Sequence, residues 1–306
     1  NADFAAVQDS INAKGGMYSG ASFNLFASVV GYPDNIKPGR YLLEPGMSNF
    51  ALLRNLNGGR QYPVKLVVPT RRSLDDLAGK LTRGLKLTRY ELLVKLNDAQ
   101  FLKDSLGMTP DDRMALFVPN TYEVYWNTTA EDLLMRLKKE HDKFWTDKRL
   151  QKAKKLGLRP EEVSIIASIV EEETRKNGEK PRIAGVYLNR LREDWKLQAD
   201  PTVRYAVGDF TIRRVKHGHL ETDSPYNTYK YKGLPPGPIN NPSISSIDAV
   251  LNAEEHDYFY FVADLDRPGY HAFSGRDEFE AHVKKANKYR DSLDERGIEE
   301  GGTRIF

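Results

Sequence analysis

The sequence predicts an α+β fold: a small α+β module over residues 1–70, a helical connector over 71–155 and a mixed α+β domain over 156–306. Three observations carry this. At 306 residues the chain suits two or three domains, and with 40% hydrophobic and 29% charged residues it can bury a core. Strand-like and helix-like segments alternate within residues 1–70. Helical periodicity then dominates until about residue 192, and paired β-like runs return only near the carboxyl end.

In the first part, residues 21–30 are apolar enough for a buried helix. Lys37-Pro38-Gly39-Arg40 reads as a turn into a strand at 41–43. Pro45-Gly46 turns again, Ser48 caps a helix running to Leu56, and Asn57-Gly58-Gly59 ends it. Residues 64–68 alternate and branch like a strand. Ser73 then caps a helix carrying Leu74, Leu77 and Leu81, and Thr88 caps one carrying Leu92, Leu93 and Leu96. A short strand is expected at 121–125. An amphipathic helix follows at 129–144, with Leu133, Leu134, Leu137 and Phe144 on its apolar side. The basic run 148–155 reads as a solvated helix face. Two clear helices lie at 161–175 and 181–192. After the turn-rich stretch 196–242 come a helix at 243–252, a strand pair at 258–262 and 270–273, a closing helix at 277–293 and a frayed end at 296–306.

Composition removes several function classes. Zero cysteine excludes disulfides, thiolate zinc sites and a cysteine nucleophile. No window approaches the roughly 18 apolar residues a membrane span needs. A net charge of +3 is too weak to argue for nucleic acid without a local patch. The basic stretch Arg213-Arg214-Val215-Lys216-His217 is flanked by Asp209, Glu221 and Asp223, so nucleic acid is not expected there. There is no GxGxxG, P-loop or GxSxG, and the histidines, including His217-Gly218-His219, lack metal-ligand spacing. Neither a cofactor nor a metal is expected. The chain begins at Asn1 without Met or signal peptide, and its first residues read like domain interior, which suggests a processed product.

The helix at 161–175 carries the sharpest candidate. With Ile165 at zero and about 100° per residue, Ile169, Ile166, Val170 and Val163 fall between about 40° and 160°. Glu173 falls near 80°, on the centre of that apolar stripe, with Glu172 at its margin and Glu171 on the opposite face. A carboxyl so placed loses solvent, which raises its pKa and suits it to give a proton near neutral pH. Glu162, in the first turn, complements the helix dipole. The stretch 196–242 offers Gln198, Asp200, Thr202, Tyr226, Asn227 and Tyr229 beside Gly233-Leu234-Pro235-Pro236-Gly237. Such tyrosines, amides and carboxylates suit a polyhydroxylated ligand, or else a long ordered loop held by its own tyrosines. Asp200-Pro201 taken alone is a turn signal.

These residues resemble the endolytic murein transglycosylases of the YceG-like family. The resemblance rests on Ala167-Ser168-Ile169-Val170-Glu171-Glu172-Glu173, Tyr187-Leu188-Asn189-Arg190-Leu191 and Leu197-Gln198-Ala199-Asp200-Pro201-Thr202-Val203-Arg204-Tyr205. It continues in order through Ser224-Pro225-Tyr226-Asn227-Thr228-Tyr229, Gly233-Leu234-Pro235-Pro236-Gly237-Pro238-Ile239 and Tyr260-Phe261-Val262-Ala263-Asp264. Looser matches sit upstream at Lys37-Pro38-Gly39-Arg40-Tyr41 and Pro119-Asn120-Thr121-Tyr122.

The resemblance implies a LysM-like amino-terminal module and a catalytic domain outside the bacterial cytoplasmic membrane, held by a single-pass anchor absent from this chain. It implies a lyase that cuts the β-1,4 bond between N-acetylmuramic acid and N-acetylglucosamine within peptidoglycan strands, leaving 1,6-anhydro ends. Its catalytic Glu maps to Glu173. Gln198, Asp200, Thr202, Tyr226, Asn227 and Tyr229 become substrate-binding candidates, while Glu171 is expected to be structural. Penicillin-binding proteins and other wall-synthesis proteins become candidate partners beside the glycan. A non-catalytic glycan-binding scaffold and a water-using muramidase are the competing readings. Two positions depart from the family pattern. Glu172 stands where Lys or Arg is usual, and would raise the pKa of Glu173 if both faced one cleft. Ser243 stands where Gly is usual, and would be strained if the turn needs positive φ.

Overall fold

Side-chain caps open helices at Ser48 and Thr88, where the sequence places them, and also at Thr129. Ser48 Oγ accepts from the Ala51 amide (3.2 Å), Thr88 Oγ1 from Glu91 (3.2 Å) and Thr129 Oγ1 from Asp132 (3.1 Å). The structure, a computed structural model, describes residues 3–15, 19–212 and 215–295, so Arg213, Arg214 and the end expected to fray lie outside the described residues. Its elements run α1 (Phe4–Asn12), α2 (Gly20–Val29), α3 (Asn49–Asn57), β1 (Val64–Val68), α4 (Leu74–Leu81), α5 (Arg89–Leu96), α6 (Ala99–Phe101), β2 (Asn120–Val124) and α7 (Ala130–Phe144). Then follow α8 (Asp147–Lys155), α9 (Pro160–Glu173), α10 (Lys180–Arg192), α11 (Asp200–Val207), α12 (His217–Leu220), α13 (Ile244–Leu251), β3 (Tyr258–Ala263), β4 (His271–Gly275) and α14 (Phe279–Glu295). The fold is mixed α+β, as expected.

The chain forms two compact units, one of Asn1–Val67, Ala78–Lys95 and Thr121–Leu134, the other of Val68–Leu77, Leu96–Asn120 and Met135–Phe306. The stretch 71–155 thus supplies both. In the first unit Phe23, Ala27, Tyr32, Leu52, Leu53 and Leu56 form the core, and β1 pairs with β2. Helix α2 buries only Phe23 and Ala27; Leu25 and Val29 are 65% and 76% exposed, so the expected buried helix covers the core with one face. The expected strand at 41–43 does not form: the Tyr62 amide donates to the Arg40 carbonyl (2.7 Å), one bond rather than a ladder.

The second unit is built around α9. Every residue from Val163 to Val170 is buried, and α8, α10, α11 and α13 pack around the helix. Strands β3 and β4 pair antiparallel, with Phe261 opposite Phe273, and lie against α10 and α14. The stretch 196–242 is not structureless. Asp200 and Pro201 begin α11, because proline suits the first helical turn, where its missing N–H costs nothing. Residues 239–241 fasten the unit internally. The Ile239 amide donates to Ser168 Oγ (3.0 Å) and Asn240 Nδ2 to the Ser168 carbonyl (3.1 Å). Asn241, fully buried, donates to the Pro69 (2.9 Å) and Phe117 (3.1 Å) carbonyls and accepts from the Arg71 amide (2.7 Å). Gly237 permits the same closeness: a Cβ there would sit 2.1 Å from the Asp111 carbonyl oxygen.

Replacing Asn241 by Ala strands three main-chain groups at once, the Phe117 carbonyl among them buried. Urea unfolding of Asn241→Ala should therefore show a loss of about 2–4 kcal/mol; a loss under about 0.5 kcal/mol, typical of a surface site, would contradict this role.

Candidate active site

Helix α9 ends on three consecutive carboxylates at its own negative pole, where carboxylates are disfavoured. Each therefore needs a partner, and the three partners differ. Glu171 accepts from Lys180 Nζ (3.2 Å), the Ser243 amide (3.3 Å) and the Ser243 and Ser246 hydroxyls. These donors hold its carboxyl below the usual range against the pull of burial. Glu172 pairs with Arg72 and accepts from Asn240 Nδ2 (2.9 Å). Glu173 accepts from a neutral donor, the Tyr187 hydroxyl, at 2.6 Å.

Tyr187 comes from α10 and is 1% exposed, its ring edge-on to Phe261 at 6.0 Å between centroids. The rest of the Glu173 side chain is packed among protein atoms, with an edge left to solvent. Burial pushes its carboxyl up to about 7; the Asp200 carboxylate adds to the rise, while the Tyr187 hydrogen bond and the charges of Arg204 and Arg190 oppose it. A carboxyl raised toward neutrality suits a general acid that must later act as base.

The two conditions attached to Glu172 and Ser243 are not met here. From Val163 to Val170 the helix has no solvent face, so the side opposite the apolar stripe is also interior, lined by Ser164, Ala167 and Ser168. Glu171, on that opposite side, is half-buried in a polar cluster of Lys180, Ser243 and Ser246. The carboxylate that raises Glu173 is Asp200, while Glu172 is occupied by Arg72 and Asn240. Ser243 is unstrained: at φ −64° it is the N-cap of α13, accepting from the Ser246 amide (3.3 Å).

The candidate binding residues divide by what they touch. Asp200 is buried and accepts from the Tyr229 hydroxyl (2.6 Å). Thr202 is fully buried, donating to the Ala199 carbonyl (2.7 Å) and meeting Thr228 Oγ1 at 2.8 Å. Asn227 is fully buried, both Nδ2 protons going to the Leu220 (2.8 Å) and Thr222 (2.9 Å) carbonyls and its Oδ1 accepting from the Tyr229 amide (3.1 Å). Thr202 and Asn227 thus hold the loop in shape. Gln198 and Tyr226 keep an open edge. Gln198 takes φ +49°, a conformation side chains rarely adopt, with its amide bonded to the Thr228 carbonyl (3.1 Å). The Tyr226 ring lies 4.7 Å from that of Tyr205, which continues to Phe210 at 6.2 Å.

Sequence reasoning singled out neither Tyr187 nor Arg190 for the site. Both lie in the matched Tyr187–Arg190 motif three residues apart, hence on one face of α10. A tyrosine and an arginine on a helix face beside an apolar, glutamate-bearing helix was the available signal.

The YceG-like family model matches residues 1–288 of the chain. An endolytic murein transglycosylase of Bacillus subtilis (strain 168) is 30% identical over 278 residues, covering 80% of this chain and 77% of that protein. An endolytic murein transglycosylase of Streptococcus pneumoniae serotype 2 is 33% identical over 275 residues; the match spans 80% of this chain but only 50% of that protein. The crystal structure of a putative YceG-like protein from Listeria monocytogenes aligns with a TM-score of 0.63 at 30% identity, over 92% of this chain and 95% of that one. With motifs, fold and relatives in agreement, the chain belongs to the YceG-like family.

Proposed function

We propose that the protein is an endolytic lytic transglycosylase of peptidoglycan, a lyase acting outside the cytoplasmic membrane. The observation that carries this reading is the Glu173 carboxyl, raised to about 7 by burial and bonded to Tyr187. The names of the relatives support the substrate class.

In the reaction, protonated Glu173 gives its proton to the oxygen bridging N-acetylmuramic acid and N-acetylglucosamine as the bond to the anomeric carbon breaks. The muramyl C6 hydroxyl then attacks that carbon, and its proton passes to the Glu173 carboxylate. One carboxyl group is thus acid and then base, and the product end is 1,6-anhydro. Hydrolytic glycosidases use a second carboxylate to activate water or to attack; here the nucleophile belongs to the substrate, and Glu171 and Glu172 are committed to their own partners. Gln198 and Tyr226 line the sugar groove. Asp200, Thr202, Asn227 and Tyr229 fix its wall, with Asp200 also helping to keep the pKa of Glu173 raised. The amino-terminal part is a LysM-like accessory module. The whole protein is anchored in the membrane and works beside penicillin-binding proteins and other wall-synthesis proteins. No helix among the described residues is long and apolar enough to cross a membrane.

Purified peptidoglycan digested with the protein should yield anhydro-muramyl ends by mass spectrometry, and Glu173→Gln should lower their rate of appearance by about 10²- to 10⁴-fold. Reducing ends would mean hydrolysis; binding without new ends would mean a scaffold. The pH profile gives a second check. Glu173 is the active acid below its pKa, so kcat/KM should fall as pH rises through about 7. Tyr187→Phe removes a hydrogen bond that favours the carboxylate, so its alkaline limb should move to higher pH as kcat drops. A limb that stays in place would show that Tyr187 does not act on the titrating group.

A further inference from the structure

Arg190 is a buried cation that the reaction as written leaves unused. It lies one turn beyond Tyr187 on α10 and is 5% exposed. Its Nε donates to the Phe259 carbonyl (2.8 Å), its Nη1 to the Leu197 carbonyl (2.6 Å), and its guanidinium carbon lies 5.8 Å from the Tyr260 ring centroid. Among the described residues no carboxylate stands within ion-pair distance of it. Carbonyls and rings solvate a guanidinium but do not neutralise it, and an unbalanced charge in the interior is costly. The titratable groups acting on it are Tyr187, Tyr229, Tyr260 and the Glu173 carboxyl. His282 of α14, stacked on Tyr260 at 5.1 Å, adds no second cation near neutral pH; burial and the Arg190 charge push it down to about 4.

We infer that Arg190 is a positioning residue for the proton transfer: its charge, left without a paired carboxylate in the resting site, balances the carboxylate that Glu173 becomes once its proton has gone to the glycosidic oxygen. This rests on the proposed reaction. The charge balance is simple. Before transfer the Glu173 carboxyl is neutral and Arg190 carries an uncompensated positive charge. After transfer the leaving sugar is neutral, the muramyl ring carries the positive charge as an oxocarbenium-like centre until the C6 hydroxyl attacks, and the Glu173 carboxylate is negative, with Arg190 as a fixed positive charge that favours it. When the C6 hydroxyl gives up its proton, Glu173 is neutral again. The same side chain clamps the Leu197 carbonyl directly before Gln198, which tethers that segment to the helix that carries Tyr187. Glu173 is faced by Tyr187 and Arg190 from α10, Asp200 and Arg204 from α11, and Tyr229 from the following loop. Of these, the two arginines are the cations.

The direct test follows the Arg190 Nε–H resonance of the ¹⁵N-labelled full chain, assigned by its loss in Arg190→Lys, from about pH 5 to 9. It should titrate with a midpoint near about 7 in the unmodified protein and stay flat in Glu173→Gln. A flat signal in the unmodified protein overturns the inference. In Arg190→Met, kcat should fall roughly ten- to a hundredfold and the alkaline limb of kcat/KM should move to higher pH, because a charge favouring the carboxylate is gone. Arg190→Lys, which keeps the charge, should restore the limb. An Arg190 that only braces Leu197 and Phe259 would leave the limb unmoved in both variants, contradicting the inference. Should Arg190→Met fail to fold, the titration in the unmodified protein still decides. Glycan cleavage surviving in Glu173→Gln would defeat the reaction itself; a flat Arg190 signal in an active, Glu173-dependent enzyme defeats only the role of Arg190.

Discussion

The site depends on one hydrogen bond, from the Tyr187 hydroxyl to Glu173 at 2.6 Å, made where the carboxyl has lost most of its water. A charged donor in that place would form an ion pair and hold Glu173 ionised. A neutral phenol steadies the group without removing its proton. The difference is visible within the same three residues: Glu171 meets Lys180, Glu172 meets Arg72, and only Glu173 meets a hydroxyl alone.

That selectivity requires helix α9 to be fixed in rotation, since a turn of about 100° would exchange one glutamate's partners for another's. The fold supplies the constraint by burying the helix on all sides from Val163 to Val170 and by tying Ser168 and Glu172 to residues 239 and 240. The serines at the start of α13 complete it, since Ser243 both caps its own helix and donates to Glu171. Packing here sets which carboxyl meets a cation and which meets only the Tyr187 hydroxyl.

The helices and the hairpin were largely legible because caps and periodicity are local signals: Ser48, Ser73 and Thr88 all cap where expected. Glu173 was legible because its place on the apolar stripe follows from spacing alone. Helix α11 was not, since Asp200-Pro201 serves equally as a turn or as a helix start, and only the burial of Thr202 and Val203 decides between them. The roles of Thr202 and Asn227 were hidden for the same reason: Thr202 meets the Thr228 hydroxyl twenty-six residues away, and Asn227 donates to the Leu220 and Thr222 carbonyls seven and five residues away. Tyr187 and Arg190 stood in a matched motif, yet their meeting with Glu173 is a contact between helices, which periodicity within one helix does not encode.

The central claim is that Glu173 is a carboxyl poised near neutrality. A ¹³C NMR titration of glutamate-labelled protein, with Glu173 assigned by its absence in Glu173→Gln, measures this without substrate. The account predicts a carboxyl midpoint at about 7. A midpoint at about 4.3, the ordinary value for glutamate, would contradict it.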